Sequence, residues 1–372
     1  MAALGPVEVY YTRLFPFDTL ARMLSAGGSP LDKRELALVL PGHIFCRNRS
    51  FANGEQLRAA VQRTKPIRLE IGPVLDISPA LRDTTEVTPV SKELVFDIDI
   101  SDYDEVRFCC KGGAVCPKCW PLVSAAIKVL DRSLRRDFGY RHLLWVYSGR
   151  RGVHCWVCDP SARVLSDTAR SALTESLSLV THGQYKVDFE HALPSVVHAA
   201  VILEPYFVSV CLEAQGMLDV PERWCDVLSK VPSKEVRDLC EANWGKEKKK
   251  TSSTERWTQL KDDILRVADE MDKEVAASAL RACVPLIIFS FVYPRLDAAV
   301  SKQMGHLLKS PFSVHPSTGR VSVPIDPSRC DEFDPSAVPT TDGLLADIIN
   351  SRQSSLAPYL KMFSDFVDTL YQ

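Results

Sequence analysis

The sequence has 372 residues, of which 46% are hydrophobic and 25% are charged. That balance is typical of a globular protein of two to three domains, and it excludes collagen, wholesale disorder and a small disulfide scaffold. The 45 basic and 47 acidic residues give a formal net charge of −2, which argues against nonspecific coating of nucleic acid. A local basic groove remains compatible with this composition.

The longest apolar stretches are expected to be too short or too interrupted to span a membrane, since a spanning helix needs about 20 mostly apolar residues. Residues 284–293 form one such stretch, and residues 199–212 are interrupted by Glu204 and Pro205. The first 22 residues carry four charged side chains, which is not the pattern of a secretory signal. We therefore expect an intracellular protein that does not act in a membrane and whose 12 cysteines are not paired in disulfides.

The first half of the chain alternates short apolar runs with polar breaks. The spacing of apolar residues predicts an N-terminal helix over 7–26 and an amphipathic helix that begins at Pro121. The predicted strands are 35–40, 67–71 and 93–100, followed by a hairpin of 143–148 and 153–158.

The pattern becomes helical and more densely charged over 190–281, and strand-like patterns return over 287–293 and 321–325. Within the helical part, the lysine-rich run 246–254 is typical of a solvated loop, and the alternative is a nuclear-localisation or phosphate-binding segment. We predict an α+β domain formed by 1–189 and 282–372, with a helical subdomain at 190–281 inserted in it.

One predicted strand carries two carboxylates on a single face. Alternate side chains of a strand share a face, so Asp97 and Asp99 point to the same side. Like charges on a mostly apolar strand repel, and a divalent cation with oxygen ligands, such as Mg²⁺ or Mn²⁺, would relieve that repulsion. The alternative is a solvated edge strand whose outer face is acidic.

The turn of the predicted hairpin is rich in groups that bind phosphate. Ser148, Arg150, Arg151 and His154 lie within seven residues, and glycines bound the turn. Arginine presents paired donors that match phosphate oxygens, and glycine lets the backbone approach a ligand closely. The alternative is an exposed basic hairpin with a packed histidine.

Four cysteines lie close together at 109–119. Cys109, Cys110, Cys116 and Cys119 offer four thiolates, which complete a tetrahedron around Zn²⁺ and leave no position for a catalytic water. We therefore expect a structural zinc knuckle. A further C-x-x-C, at 155–158, places its two thiols on opposite faces of a strand and is expected to be core packing.

Taken together, these segments resemble the small, catalytic subunit of eukaryotic DNA primase, in the archaeo-eukaryotic primase superfamily. The resemblance covers most of the chain, and its most specific string is LWVYSGRRGVHCWVCD at 144–159. The other matching segments are YYTRLFPF at 10–17, KELVFDID at 92–99, CPKCW at 116–120, PRLD at 294–297, HLLKSPFSVHP at 306–316 and SLAPY at 355–359.

The resemblance implies a role for each matching position. It implies a primase fold with mixed β-sheets flanked by helices, and a pair of catalytic Mg²⁺ or Mn²⁺ ions held by Asp97, Asp99 and Asp297, with Glu35 as a further active-site residue. It implies a structural Zn²⁺ on the four cysteines. The residues implied to contact the nucleotide or line the cleft are Ser148, Arg150, Arg151, His154, His306, Lys309, His315, Arg47, Arg68 and Glu70.

The implied activity is DNA-directed RNA polymerase activity: synthesis of short RNA primers on a single-stranded DNA template from ribonucleoside triphosphates, for DNA replication in the nucleus. The implied partners are a primase large subunit that carries an iron–sulfur cluster and the DNA polymerase alpha complex. Two alternatives remain: a primase-family polymerase for damage bypass or end joining, and a non-catalytic, zinc-stabilised nucleic-acid-binding subunit.

Overall fold

The computed structural model describes residues 5–82, 84–181, 184–185, 192–246 and 251–372. The strands are β1 (Arg34–Leu40), β2 (Ile44–Arg49), β3 (Arg68–Leu75), β4 (Pro89–Ser91), β5 (Leu94–Asp99), β6 (Leu143–Tyr147), β7 (Gly152–Val157), β8 (Val180–Thr181), β9 (Gln184–Tyr185), β10 (Leu308–Lys309) and β11 (Pro324–Ile325). The α-helices are α1 (Pro6–Arg13), α2 (Phe17–Ser25), α3 (Gly54–Thr64), α4 (Pro121–Arg136), α5 (Pro160–Arg163), α6 (Asp167–Leu177), α7 (Pro194–Tyr206), α8 (Pro221–Leu228), α9 (Lys234–Lys246), α10 (Ser253–Asp269), α11 (Glu274–Val292), α12 (Ala298–Lys302), α13 (Thr341–Ile349) and α14 (Ala357–Thr369). The predicted α+β class is confirmed.

Two sheets organise most of the strands. One has the order β10-β3-β1-β2, with β4 also paired to β3, and the other has the order β11-β6-β7-β5. Where we expected mixed sheets, the described registers are antiparallel. Short connections explain this for β1–β2 and β6–β7, because a tight turn can join only antiparallel neighbours.

Several predicted elements are confirmed. The strand predicted at 93–100 is β5, the hairpin is β6–β7, and the helix that begins with Pro121 is α4. All residues of β6 and β7 are buried, so hydrophobic burial on both faces stabilises this hairpin at the centre of its sheet.

Two element predictions are wrong, each for a physical reason. The N-terminal helix is broken into α1 and α2, because Pro16 has no N–H to continue a helix and restricts the backbone of Phe15. The strand expected at 287–293 is the end of α11, whose last residues are buried almost continuously. A short apolar run of this kind does not distinguish a buried strand from a buried helix.

The chain forms two compact units. The first comprises Met1–Asp97, Gly139–Ser176 and Leu296–Gln372, and the second comprises Ile98–Phe138 and Leu177–Arg295. In this division 98–138 and 282–295 group with the helical segment. That 190–281 is a separate inserted subdomain stays a prediction, and residues 186–191, around its start, lie outside the described part of the chain.

Two helical stretches of the second unit are longer than the sequence pattern indicated. Pro194–Ala214 and Glu274–Val292 have mean hydropathies of 1.7 and 2.0 over 18 residues, so both are long and apolar enough to cross a membrane by length and composition. The expectation that no apolar stretch is long enough to span a membrane is therefore wrong for these two helical stretches. Within the unit, α11 packs against α7 and α10, which is the behaviour of core helices. Of the lysine-rich run, Lys246 ends α9, and residues 247–250 lie outside the described part of the chain.

Candidate active site and metal centre

Strand β5 carries the two carboxylates that the sequence placed on one face. Asp97 and Asp99 are partly exposed, whereas their neighbours Phe96 and Ile98 are fully buried. The carboxylate of Asp99 accepts hydrogen bonds from the backbone N–H and the hydroxyl of Ser101, both at 3.0 Å. The alternation that was predicted for this strand is therefore present.

The structure brings Asp297 to the same strand. The backbone N–H of Asp297 donates a hydrogen bond to the carbonyl oxygen of Asp97 at 3.0 Å, across 200 residues of sequence. Asp297 also caps the N-terminus of α12, where its Oδ1 accepts the N–H of Ala299 at 3.1 Å. Its side chain is exposed. Oxygen-only carboxylate donors suit Mg²⁺ or Mn²⁺, so the donor chemistry fits the ions that the resemblance implies.

His154, on β7, faces the first of these carboxylates. Its Nε2 lies 3.7 Å from Oδ1 of Asp97, and the ring is buried. Burial, and secondarily the charge of Lys309, lowers the pKa of His154 to about 3. The imidazole is therefore neutral near pH 7 and offers a hydrogen bond to a ligand rather than a positive charge. Among the described residues, its Nδ1 is buried without a hydrogen-bond partner.

The hairpin turn is held by its own backbone and by a later segment. The N–H of Ser148 donates to the carbonyl of Gly152 at 2.8 Å, and the N–H of Gly152 donates to the hydroxyl of Ser148 at 3.1 Å. Gly149 has a φ of +90°, and a Cβ there would lie 2.8 Å from the Cβ of His315. The hydroxyl of Thr318 donates to the carbonyl of Gly149 at 2.7 Å. The turn is thus packed against the segment that carries His315.

Lys309 connects the turn to the other sheet of the first unit. Its Nζ donates to the carbonyl of Ser148, and β10 places it opposite Glu70 on β3. Burial, and next the charge of Arg68, lowers the pKa of Lys309 to about 7. Burial and the same lysine lower the pKa of His315 to about 4. Ser148, Lys309 and His315 therefore lie in one crowded neighbourhood, in which nearby cations lower the pKa of Lys309 and of His315.

Arg150 and Arg151 follow Gly149 in the turn. Arg150 is exposed and Arg151 is partly exposed. Both charges contribute to lowering the pKa of His315, which places their guanidinium groups within electrostatic reach of that ring. An anion would relieve the mutual repulsion of these groups.

Glu35 is buried within β1 and bridges two arginines. Its Oε1 lies 3.4 Å from Nη2 of Arg47, and its Oε2 lies 3.0 Å from Nη1 of Arg82. Both guanidinium groups are more than one-third exposed, while the carboxylate is fully buried. Arg82 was missed by the sequence analysis, because nothing in a lone arginine of a turn-rich stretch points to a buried partner.

Arg68 and Glu70 form an ion pair on β3, with Nη2 and Oε1 2.6 Å apart. The ring of Phe45, on β2, lies 5.9 Å from the Arg68 guanidinium carbon and is 49% exposed. An exposed aromatic ring beside a cation is suited to stack on a nucleobase. The sequence analysis missed Phe45, although its alternation with Arg47 and Arg49 on one strand is a visible signal.

His306 is exposed and lies over a buried lysine. The Nζ of Lys92 donates to the carbonyl of His306, and burial followed by the charge of Arg170 lowers the pKa of Lys92 to about 7. Although the residue is exposed, partial desolvation of its ring, and next the charge of Lys92, lowers the pKa of His306. The sequence analysis did not single out Lys92. It belongs to a buried charge network in which Arg34 and Arg163 both contact Glu93.

The four cysteines of the second unit meet in space. Four Sγ–Sγ separations are 3.7 Å (Cys109–Cys110), 3.8 Å (Cys110–Cys116), 3.6 Å (Cys110–Cys119) and 3.8 Å (Cys116–Cys119). A tetrahedron with Zn–S bonds of about 2.3 Å has edges of about 3.8 Å, so the sulfur atoms already have the spacing of a zinc site. Among the described residues, this is the one group of three or more such ligands within 4.8 Å of one another. By contrast, Cys155 and Cys158 are buried in the first unit, as expected for core packing.

Comparison with known proteins gives a consistent result. A family model described as DNA primase small subunit matches residues 96–327. The DNA primase small subunit of Schizosaccharomyces pombe is 38% identical over 357 residues, covering 93% of this chain and 78% of the relative. That of Drosophila melanogaster is 37% identical over 360 residues, covering 92% and 81%. The solved polymerase domain from Mycobacterium tuberculosis Ligase D in complex with DNA is 13% identical, covers 96% of this chain and 98% of that chain, and has a TM-score of 0.39, which is too low to transfer any property.

Proposed function

The chain belongs to the DNA primase small subunit family and synthesises RNA primers for DNA replication, and we propose that it does so by two-metal nucleotidyl transfer at the carboxylates described above. The observation that carries the proposal is the position of His154, 3.7 Å from Asp97. This contact links the strand that carries the acids to the hairpin that carries the basic turn.

Asp97, Asp99 and Asp297 would hold the two cations. When bound, these ions would lower the pKa of the primer 3′-hydroxyl and neutralise the charge that develops as pyrophosphate leaves. The chain itself supplies oxygen ligands on a strand whose opposite face is packed into the core, so the carboxylates have little freedom to move. Catalysis would then depend on the positioning of the reacting groups and on electrostatic stabilisation, because phosphoryl transfer needs little covalent participation by the protein.

The triphosphate of the incoming ribonucleotide would lie against the basic groups of the first unit. Arg150, Arg151 and Lys309 offer positive charge, and His154 and the turn backbone offer hydrogen bonds. Ser148, His306 and His315 would complete the same pocket. A bound phosphate would offset the repulsion between these ammonium and guanidinium groups. The same groups would in turn attract the nucleotide.

The cleft groups of β1, β2 and β3 would meet the sugar and base. Glu35 fixes the half-exposed Arg47, and Glu70 fixes Arg68, so both guanidinium groups are presented in defined positions. The exposed ring of Phe45 would stack on a base. Such contacts do not depend on base identity, so the template would choose the nucleotide by pairing.

The second unit would hold one structural Zn²⁺ on its four cysteines, since the sulfur spacing fits a closed tetrahedral site. A primase small subunit implies a larger primase partner and nucleic acid substrates. We further propose that the large subunit carries an iron–sulfur cluster, that the pair acts with the DNA polymerase alpha complex in the primosome, and that the site of action is the nucleus.

The proposal is tested by product formation on a poly-pyrimidine single-stranded template with ribonucleotides and Mn²⁺, with and without a primer. We expect RNA products from the full chain and none from Asp97→Asn or Asp99→Asn. The matched control is Asp365→Asn, which removes an exposed helix-surface carboxylate. Preference for deoxynucleotides and an existing primer would favour a damage-bypass or end-joining polymerase, and template binding without any product would favour a non-catalytic subunit.

A further inference from the structure

A buried arginine lies against the sulfur atoms of the cysteine cluster. The side chain of Arg107 has no exposed surface, and it precedes Cys109 by two residues. Its Nη1 lies 3.6 Å from the Sγ of Cys110 and 3.6 Å from the Sγ of Cys119. The guanidinium therefore donates to two of the four atoms that would bind the metal.

The same guanidinium organises the loop between the cysteines. Nη1 donates to the carbonyl of Ala114 at 2.8 Å, and Nη2 donates to the carbonyl of Gly112 at 2.7 Å. Nε donates to Oδ1 of Asp104 at 2.6 Å, and the second oxygen of Asp104 accepts the N–H of Gly112 at 2.7 Å. The planar fork of arginine reaches all these acceptors at once, with the two hydrogens of Nη1 shared among three of them, which the single ammonium group of lysine cannot do.

The charge of a metal-bound cluster explains why a buried cation beside it would be stabilising. Four thiolates around a dication carry a net charge of −2, and a buried charge of that size is unfavourable unless it is compensated. The N–H groups that point at Cys110 and Cys119 withdraw electron density from their sulfur atoms and offset part of that charge. Hydrogen bonds of this type around a metal commonly hold its ligands in place, and their loss weakens metal binding about 10–100-fold.

We propose that Arg107 is a positioning residue of the metal centre: it fixes the 112–114 loop and stabilises the thiolates of Cys110 and Cys119, so that the second unit retains zinc. This role rests on the zinc site proposed above and is separate from the chemistry of nucleotide transfer.

The test uses the full chain with Arg107→Gln, Arg107→Lys and the control Lys118→Gln, which removes one exposed positive charge from between Cys116 and Cys119. Zinc content is measured after purification, and zinc affinity by competition with a chromogenic chelator. We expect one zinc per chain in the unchanged protein and in Lys118→Gln. Affinity should fall about 10–100-fold in Arg107→Gln and by a smaller factor in Arg107→Lys.

A spectroscopic measurement separates an effect on sulfur from a loss of loop structure. In the Co²⁺-substituted protein, removal of the N–H···S bonds in Arg107→Gln should shift the sulfur-to-cobalt charge-transfer band to lower energy. A purely structural arginine would leave that band in place. Zinc affinity unchanged in both Arg107 variants would overturn the proposal, as would an unchanged cobalt band or an unsubstituted chain that binds no zinc. If Arg107→Gln does not fold, wild-type affinity in Arg107→Lys would be sufficient to reject it.

Discussion

The backbone N–H of Asp297 is hydrogen-bonded at 3.0 Å to the carbonyl oxygen of Asp97, which lies 200 residues earlier in the chain. This bond fixes the start of α12 to the end of β5. Asp297, which has no local sequence signal of function, is therefore held beside the acidic strand by a backbone hydrogen bond. Its side chain takes no part in that bond. The carboxylate of Asp297 is left exposed.

The buried network beneath β5 should be needed for stability. Arg34 makes two bonds to Glu93, at 2.8 and 2.9 Å, and Arg163 makes a third contact at 3.2 Å. Glu93→Gln should lower the free energy of unfolding by about 3–5 kcal/mol at pH 7, because it leaves buried guanidinium groups uncompensated. Urea denaturation of both proteins measures this, and a loss below about 1 kcal/mol would contradict it.

The same network predicts an acid dependence. Burial raises the pKa of Glu93, but the charges of Arg34 and Arg163 outweigh it and bring the pKa from 4.5 to about 2. A depressed pKa in the folded state contributes stability above the unfolded value of 4.5, and that contribution is lost as the pH falls from 4.5 towards 2. The stability gap between the unchanged protein and Glu93→Gln should therefore narrow below about pH 4.5, and a gap independent of pH would count against this network.

Glu35 and its two arginines should respond unequally to substitution. Arg47→Gln with Arg82→Gln deprives a fully buried carboxylate of both its ion-pair partners and should cost about 3 kcal/mol of unfolding free energy. Glu35→Gln should cost only about 1 kcal/mol, since water can solvate the half-exposed arginines that remain. Adding Glu35→Gln to the double variant should restore part of the loss in urea denaturation. The account fails here if Glu35→Gln alone is the more destabilising change.

Nucleotide binding should be coupled to proton uptake at Lys309. Burial lowers the pKa of this lysine to about 7 in the free protein, so a large part of it is neutral at pH 8. A triphosphate favours the ammonium form, so affinity should fall as pH rises above 7, approaching about tenfold per pH unit. Lys309→Arg keeps the charge at every pH and should flatten this dependence.

Titration calorimetry in two buffers of different ionisation enthalpy measures the proton uptake directly. At pH 8 the unchanged protein should take up more protons on binding nucleotide than Lys309→Arg does. Equal uptake in the two proteins would show that Lys309 does not change its protonation state when the nucleotide binds.

The conformation of the basic turn should depend on glycine at 149. Gly149→Ala brings a Cβ within 2.8 Å of His315 and should displace the turn, which raises KM for the nucleotide roughly tenfold or more. Gly139→Ala is the matched control, because Gly139 also has a positive φ, +74°, but a Cβ there meets no atom within 4 Å. Steady-state kinetics compare the two, and an equal rise in KM would assign the effect to backbone strain in general.

The sequence predicted the local elements of the site better than the contacts between residues that are distant in the chain. The acids of β5 and the β6–β7 hairpin were predictable, because alternation and glycine-bounded turns are encoded within a few residues. Arg82, Lys92 and Arg107 were missed, since the importance of each depends on a buried partner brought close by folding. The end of α11 was mistaken for a strand, because burial on all sides of its last residues removes the periodicity that identifies a helix.

Two-metal chemistry at these carboxylates is tested most directly by the anomalous scattering of manganese in crystals grown with Mn²⁺ and a ribonucleoside triphosphate. The account predicts two manganese ions between the triphosphate and the carboxylates of Asp97, Asp99 and Asp297, and loss of at least one ion in Asp97→Asn. A triphosphate bound to the basic turn with no manganese on these carboxylates would contradict it.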